Sequence, residues 1–434
     1  MLWPFGHMHI YGTLHFAVKE EEVSDFTRQL QSAGLREKRL KEKLLEEEKR
    51  RRSLFEEVQK LRGAIRVICR IRPDSSPDLL DYETQNGELH SNPAKLTVIE
   101  YKETPRGETR AIKSETYEFE RIFLPRETNE DVFSEISSFV QSVIDGKKAC
   151  VFCYGQSGTG KTYTMSNLDE VESREEGVDY KNDGIIPRVK TMIFREKERL
   201  DEIGYSMTTR GCCYEIYNNE LWLLKASGNK KKTISRNTRT IENPELVTLS
   251  SASDFDALVK VGMKNRHFGA TKLNNNSSRS HFIISLETSI SLKGTSDVKH
   301  EGLLNLVDLG GAERTEQAGT TGVQFQEGTN INISLSELGK VIKTLAEGKN
   351  PTFNGNILTG FLQRSLERGC MTLMFLMISP LKENWPTTTR TLNFAKEVQS
   401  ARQAKSSKRG KKVVATRSPS NRLPRLAQRP GAKQ

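Results

Sequence analysis

Gly155-Gln156-Ser157-Gly158-Thr159-Gly160-Lys161-Thr162 fits G-x-x-x-x-G-K-S/T, the spacing of a loop that cradles nucleotide phosphates. The glycines let consecutive backbone N–H groups turn inward around phosphate oxygens. Lys161 can reach the β- and γ-phosphates as a point charge, and Thr162 can place a hydroxyl on Mg²⁺. All eight residues are candidate nucleotide-binding positions. The short apolar run Ala149 to Tyr154 suits a buried strand entering the loop. Tyr163-Thr164-Met165 can continue it into a helix whose N-terminus faces the phosphates.

A phosphate cradle does not hydrolyse by itself. It needs a partner for Mg²⁺, a group that senses the γ-phosphate and a way to order water. Leu303 to Val307 is apolar and ends in Asp308, suited to hold Mg²⁺ through water, and the pair Gly310-Gly311 can present a backbone N–H to the γ-phosphate. A second cluster, Asn274-Asn275-Asn276-Ser277-Ser278-Arg279-Ser280-His281, offers hydroxyls and one fixed charge in Arg279. Composition alone leaves that cluster open between a catalytic loop and a polar turn before a strand. No N-K-x-D guanine-reading motif occurs, which favours ATP over GTP.

These residues need elements to position them. Ile65 to Ile71 alternates as a first strand, and Pro73 stops it. Residues 74 to 116 read as polar loops and short strands. Helical spacing covers Thr128 to Ile144, Thr191 to Ile203, Ser253 to Asn265, Ile331 to Glu347 and Thr389 to Ala404. Strand-length apolar runs lie at Cys212 to Tyr217, Phe282 to Ile290, Leu303 to Val307 and Thr372 to Ser379. Ser166 to Asp183 and Lys225 to Arg239 read as loops. Strands alternating with helices predict an α/β P-loop fold over residues 63–400, with helices on both faces of a sheet.

Residues 19–62 carry no proline and are rich in Glu, Lys and Arg. A heptad register runs through Val23, Phe26, Leu30, Ala33, Glu37, Leu40, Leu44, Glu47, Arg51, Leu54, Val58 and Leu61, nine of the twelve apolar. That predicts a coiled-coil neck helix that pairs two chains, ended by Gly63; the alternative is a long helix packed on its own domain. Met1 to Val18 lacks a basic start and carries Pro4, so it is no convincing signal peptide, and it is left unassigned. No apolar stretch reaches membrane-spanning length, so no membrane is expected.

The net charge is +11, and Lys396 to Gln434 alone supplies it with twelve Lys/Arg and one Glu. Residues 401–434 therefore read as a basic disordered tail. It has no aromatic side chain to stack bases, which argues against nucleic acid. The tail suits electrostatic tethering, or nuclear entry through Lys408 to Lys412. The six cysteines are dispersed, as in a reducing compartment, and Cys150-x-x-Cys153 lies within a strand.

Taken together, residues 64–400 resemble a kinesin motor domain. Arg70-Ile71-Arg72-Pro73 is similar to the family's adenine-side R-x-R-P. Asn274 to His281 matches N-x-x-S-S-R-S-H, switch I. Asp308 to Arg314 resembles D-L-A-G-S-E-R, switch II, and Ile331 to Leu335 resembles the I-N-x-S-L of the following helix. The resemblance implies a central, mostly parallel eight-stranded sheet with three helices on each face, and a microtubule-stimulated ATPase. It implies that Arg279 and Glu313 form an ion pair when ATP binds, ordering the attacking water. Thr162 and Ser278 would bind Mg²⁺, Asp308 would hold its waters, and Gly311 would sense the γ-phosphate. Asn274 and Ser277 would join the nucleotide pocket, with Arg70 and Pro73 flanking adenine.

A helix before the motor is similar to the C-terminal-motor kinesins, typically minus-end-directed, found on cytoplasmic and spindle microtubules. The alternative is a weakly motile or non-motile microtubule-binding subunit paired with another chain. Departures from the family pattern are Gly310 and Ala312 in switch II, predicting a floppier loop, Ile333 where a base is usual, and Gly63-Ala64 at the neck junction. Phe353 to Thr359 stands where Y-R-N-S-K-L-T is usual, with Asn354 and Ile357 replacing an Arg and a Lys.

Overall fold

The computed structural model describes residues 6–76, 79–85, 94–103, 109–168, 178–235, 240–266, 278–295, 298–313 and 323–415. Helix α1 (Gly6–Arg62) starts earlier than expected, taking in most of the segment left unassigned. No proline lies between Pro4 and Pro73 to interrupt it. Gly63 ends it at φ +93°, a left-handed position that favours glycine, with its N–H on the Gln59 carbonyl at 3.1 Å.

Strand β1 (Ile65–Ile71) follows. Residues read as loops and short strands then form a separate antiparallel sheet of β2 (Asp81–Gln85), β3 (Ala94–Glu103) and β4 (Thr109–Phe119). Next come β5 (Arg121–Phe123), α2 (Asn129–Ile144), β6 (Lys148–Gly155), α3 (Lys161–Ser166) and α4 (Ile185–Glu202). Thr128 caps α2 in a reciprocal box with Asp131. The middle of the chain holds β7 (Tyr205–Tyr217), β8 (Glu220–Leu224), β9 (Lys230–Lys232), β10 (Val247–Thr248), α5 (Ala252–Asn265), β11 (His281–Leu292) and β12 (Val298–Asp308). It closes with α6 (Val323–Ala346), α7 (Ile357–Leu366), β13 (Met371–Ile378) and α8 (Trp385–Ala415).

The main sheet runs β5-β1-β13-β6-β12-β11-β7-β8-β9, with β10 beside β7, so among the described residues it has ten strands rather than eight. It is mixed rather than mostly parallel. Pairs from β5 to β12 are parallel and the rest antiparallel. Connection length sets one of those antiparallel pairs. Asn218 and Asn219, at φ 49° and 60°, make a two-residue turn between β7 and β8, and such a turn can join only antiparallel neighbours. Alternation along the strands splits the core. Val67, Cys69, Cys150 and Phe152 face α6, α7, α8 and the small sheet; Ile68, Val151, Cys153 and Phe375 face α2, α4 and α5. Cys150 and Cys153 thus point to opposite sides of one strand and are buried core residues.

Three helices depart from the sequence reading. α6 starts at Val323 instead of Ile331, α7 was not foreseen, and α8 starts at Trp385 instead of Thr389 and runs past Ala404 to Ala415, into the segment read as a disordered tail. Residues 416–434 lie outside the described residues, as do the side chains of Lys408 to Lys412. Among the described residues, no helix is long and apolar enough to cross a membrane.

Helix α1 packs on its own domain through one face and leaves the heptad seam exposed on another. Val23, Phe26, Leu30, Leu40, Leu44, Leu54, Val58 and Leu61 of the seam are exposed. One residue round the helix, Leu45, Glu48 and Arg52 pack on the motor. Leu45 joins the core cluster, and Glu48 is buried. Glu48 accepts from Arg51 and Arg52 at 2.9 Å and from Arg199 of α4 at 3.2 Å; Arg51 reaches Asp145 at 2.6 Å. Burial alone would raise the Glu48 carboxyl, but these arginines hold it down at about 2.

Candidate nucleotide site and its switches

The phosphate loop joins β6 to α3, as the strand–loop–helix reading required. Gly155 ends β6 at φ +155°, and a β-carbon there would sit 2.2 Å from the Met377 carbonyl of β13, so only glycine fits. Lys161 is buried, and its Nζ donates to the carbonyls of Gly155 at 2.9 Å and Gln156 at 2.8 Å. Burial pushes its ammonium below the usual lysine range, opposed by Asp308 and Glu313.

Asp308 ends β12 and meets the loop directly. Its Oδ2 accepts from the Thr162 hydroxyl at 2.7 Å and from Arg266 at 2.9 Å. Its Oδ1 is buried with no hydrogen-bond partner among the described residues. A buried carboxylate oxygen of this kind, beside a threonine hydroxyl, fits a hydrated divalent cation. The sequence reading missed Arg266. It follows α5 with nothing local to mark it, and only the fold brings it to Asp308, both side chains at most 2% exposed.

Switch II is tied down through the backbone of Gly310, Gly311 and Ala312. The Gly311 N–H donates to the Ser278 carbonyl at 2.8 Å, and the Ala312 N–H donates to the Gly155 carbonyl at 3.0 Å. A β-carbon on Gly311 would lie 2.3 Å from both Ser157 Oγ and Glu313 Oε1. The floppier loop expected from Gly310 is not what forms. Its N–H donates to His281 Nδ1 at 3.1 Å, and Ile331 packs against it.

That contact fixes the His281 tautomer. With Nδ1 accepting, Nε2 carries the proton and donates to Ser334 Oγ at 2.7 Å, and Ser334 donates to the Ile331 carbonyl at 2.7 Å. Burial, with Arg266 and Lys161 nearby, pushes His281 down to about 3, so the ring is neutral. Asn332 donates to the Glu313 carbonyl at 3.2 Å. The I-N-x-S-L stretch thus bonds both switches.

One expectation needs correcting, and another, the pair that ATP binding is expected to form, is not the arrangement of this conformation. Arg279 and Glu313 do not pair in this conformation. Glu313 Oε2 accepts the Ser157 N–H at 2.8 Å and its Oε1 accepts the Ser157 hydroxyl, while Arg279 lies 3.3 Å from Glu327. The carboxylate has turned toward the phosphate loop and the guanidinium toward α6. Arg70 does not face a base either. It is buried, donating to Asn129 at 2.6 Å and Thr164 at 2.7 Å, under the Tyr163 ring. It braces β1 against α2 and α3. Pro73 is exposed at the rim, beside Arg72, which donates to the Gly158 carbonyl at 2.7 Å. Asn274 and Ser277 lie outside the described residues.

Residues 70–401 match the kinesin motor domain family. The chain belongs to that family. It is similar to kinesin-like protein klpA of Emericella nidulans, 38% identical over 398 residues, covering 88% of this chain and 50% of the relative. The chain therefore spans about half the length of that curated relative. A solved structure of the C-terminal motor and motor homology domain of Kar3Vik1, fused to a synthetic heterodimeric coiled coil, is 32% identical. It has a TM-score of 0.75 and covers 90% of this chain and 99% of that one. Mutant structures described as revealing a signalling pathway for activation of the kinesin motor ATPase are 32% identical, TM-score 0.63, covering 77% of this chain and 98% of theirs. Within this kinesin, the phosphate loop and both switches sit at the C-terminal ends of β6 and β12, where α/β sheets bind ligands.

Proposed function

We propose that this chain is the motor part of an ATP-hydrolysing, microtubule-binding kinesin of the C-terminal-motor type, moving toward the minus end of cytoskeletal microtubules. The observation that carries the reading is the double contact between switch II and the phosphate loop: Asp308 with Thr162, and Glu313 with Ser157. The loop N–H groups receive the phosphates, and Lys161 leaves its own carbonyls to meet the β- and γ-oxygens. Thr162, Ser278 and Asp308 hold Mg²⁺, which when bound supplies positive charge to those oxygens. Gly311 gives up the Ser278 carbonyl and turns its N–H to the γ-phosphate. Arg279 and Glu313 then pair and order the water that attacks the γ-phosphorus, with ADP leaving. Pro73 flanks the adenine. Asn274 and Ser277 complete the pocket, α6 carries the change to the filament face, and α1 moves with it.

Pairing through the exposed seam of α1 makes a dimer, and the Kar3Vik1 likeness supports a partner that is a different chain. The basic tail tethers to acidic tubulin surfaces or directs nuclear entry toward the spindle.

One observation favours the weakly motile reading. Asn354 is exposed without charge, and Ile357 packs half-buried against the core. The lysines beside them are neutralised: Lys340 by Glu337 at 2.6 Å, Lys343 by Glu397 at 3.0 Å and Lys349 by Glu347 at 2.6 Å. Steady-state ATP turnover with and without polymerised microtubules, for wild type and Glu313→Ala, tests both. Strong stimulation lost in the variant supports the motor. Slow turnover without stimulation overturns it in favour of the subunit.

A further inference from the structure

Glu327 lies in the part of α6 that the sequence did not predict. Its side chain is 9% exposed, and both carboxylate oxygens are engaged. Oε1 accepts the Tyr217 hydroxyl of β7 at 2.5 Å, and Oε2 accepts from Arg279 at 3.3 Å. Glu327, Ile331 and Ser334 recur at i, i+4 and i+7, so they form one stripe on α6. Two of them hold switch I: Glu327 takes Arg279, and Ser334 takes His281. Meanwhile Glu313, the residue expected to meet Arg279, is bonded to Ser157 through both oxygens. Each member of the expected pair therefore has a specific alternative partner, and the partner of Arg279 belongs to α6.

We propose that Glu327 is a second seat for Arg279, a positioning residue that holds the switch arginine away from Glu313. This rests on the reading that the Arg279–Glu313 pair orders the attacking water. Closing the site is then an exchange of carboxylates, not the formation of a new ion pair from solvated charges. The guanidinium leaves Glu327 for Glu313 and stays charge-paired in both positions, so the two arrangements differ by little and a modest bias selects between them. Tyr217 fixes the Glu327 carboxylate by its hydrogen bond, and Glu327 in return pushes the Tyr217 hydroxyl up to about 12, after burial. Because the seat is on α6, any partner that shifts α6 loosens Arg279 without touching the nucleotide. A purely structural role for Glu327, as a tie between β7 and α6, would also explain the contacts. It makes the opposite forecast, since losing a tie damages activity whereas losing a restraint raises it.

The test is single-turnover ATP hydrolysis without microtubules, for wild type, Glu327→Gln, Tyr217→Phe, Glu313→Ala and the double variant Glu327→Gln/Glu313→Ala. Glu327→Gln is expected to hydrolyse about five- to tenfold faster than wild type, the scale of one partly buried ion pair. Its ratio of microtubule-stimulated to basal turnover falls by a similar factor. Tyr217→Phe shows a smaller rise, and the double variant shows none, because the gain runs through Glu313. An unchanged or slower rate in Glu327→Gln, with wild-type melting and Glu313→Ala inactive, overturns the second seat alone. Wild-type hydrolysis in Glu313→Ala instead overturns the underlying pair reading and the seat with it. If Glu327→Gln fails to fold, Tyr217→Phe decides by the same sign.

Discussion

Ser157 holds both oxygens of Glu313, one through its backbone N–H at 2.8 Å and the other through its hydroxyl. The Glu313 carboxylate of switch II is thus docked on the phosphate loop, and Arg279 of switch I is docked on α6. Charged hydrogen bonds of this kind contribute about 1.5–3 kcal/mol each when partly buried. If Arg279 exchanges Glu327 for Glu313 as proposed, the two positions trade comparable contacts.

Arg266 shares Asp308 with Thr162, and neither charged side chain reaches solvent. Removing one partner leaves a buried charge alone, which costs about 3–5 kcal/mol. Arg266→Ala should lower the melting temperature sharply in metal-free buffer. Added Mg²⁺ with ADP should recover part of the loss, because a cation replaces the missing positive charge beside Asp308. Differential scanning fluorimetry with and without Mg²⁺–ADP reads both effects.

His281 should make the motor acid-sensitive. The native state keeps the ring neutral down to about pH 3, while the unfolded chain takes up a proton near its ordinary value of 6.5. Protons then favour the unfolded state, so this contribution to stability is complete above 6.5 and is lost as pH falls toward 3. Urea unfolding at pH 7.5 and 5 should show wild type losing more stability than His281→Asn. The difference should be about 1–2 kcal/mol over that interval.

Glu48 anchors the neck helix by gathering three arginines from α1 and α4. Glu48→Ala leaves those cations facing one another and should cost about 2–3 kcal/mol. Hydrogen exchange along residues 45–62 should accelerate in the variant, while residues 23–44 should exchange as in wild type. Equal acceleration throughout would mean the helix is not anchored there.

Asn354 is exposed on the face where the family usually carries arginine. Asn354→Arg should tighten microtubule co-sedimentation by about fivefold at low salt, the worth of one rim charge, and the gain should fade as salt rises. Ile357→Lys is the poorer choice, since Ile357 packs on the core.

The sequence by itself determined what is local or periodic. The loop from Gly155 to Thr162 was legible because phosphate binding needs consecutive backbone groups. The strand ending at Asp308 was legible from its apolar run, and the seam of α1 from its heptads. What only the tertiary structure decided depends on residues far apart in the chain. Arg279 meets Glu327 across 48 positions and Arg266 meets Asp308 across 42, and no spacing rule selects those partners. Arg70 looked like a ligand residue because Arg70 to Pro73 resembles the family's adenine-side R-x-R-P, but Asn129 and Thr164 close over it once α2 and α3 pack on β1. The antiparallel pairing of β7 with β8 followed from a two-residue asparagine turn whose left-handed conformation propensity alone does not fix. The start of α6 at Val323 was hidden because Gly322, Gly328, Thr329 and Asn330 are weak helix formers. Contacts of α6 with Tyr217, Arg279 and His281 outweigh that local preference, so the helix that links the switches is a product of packing.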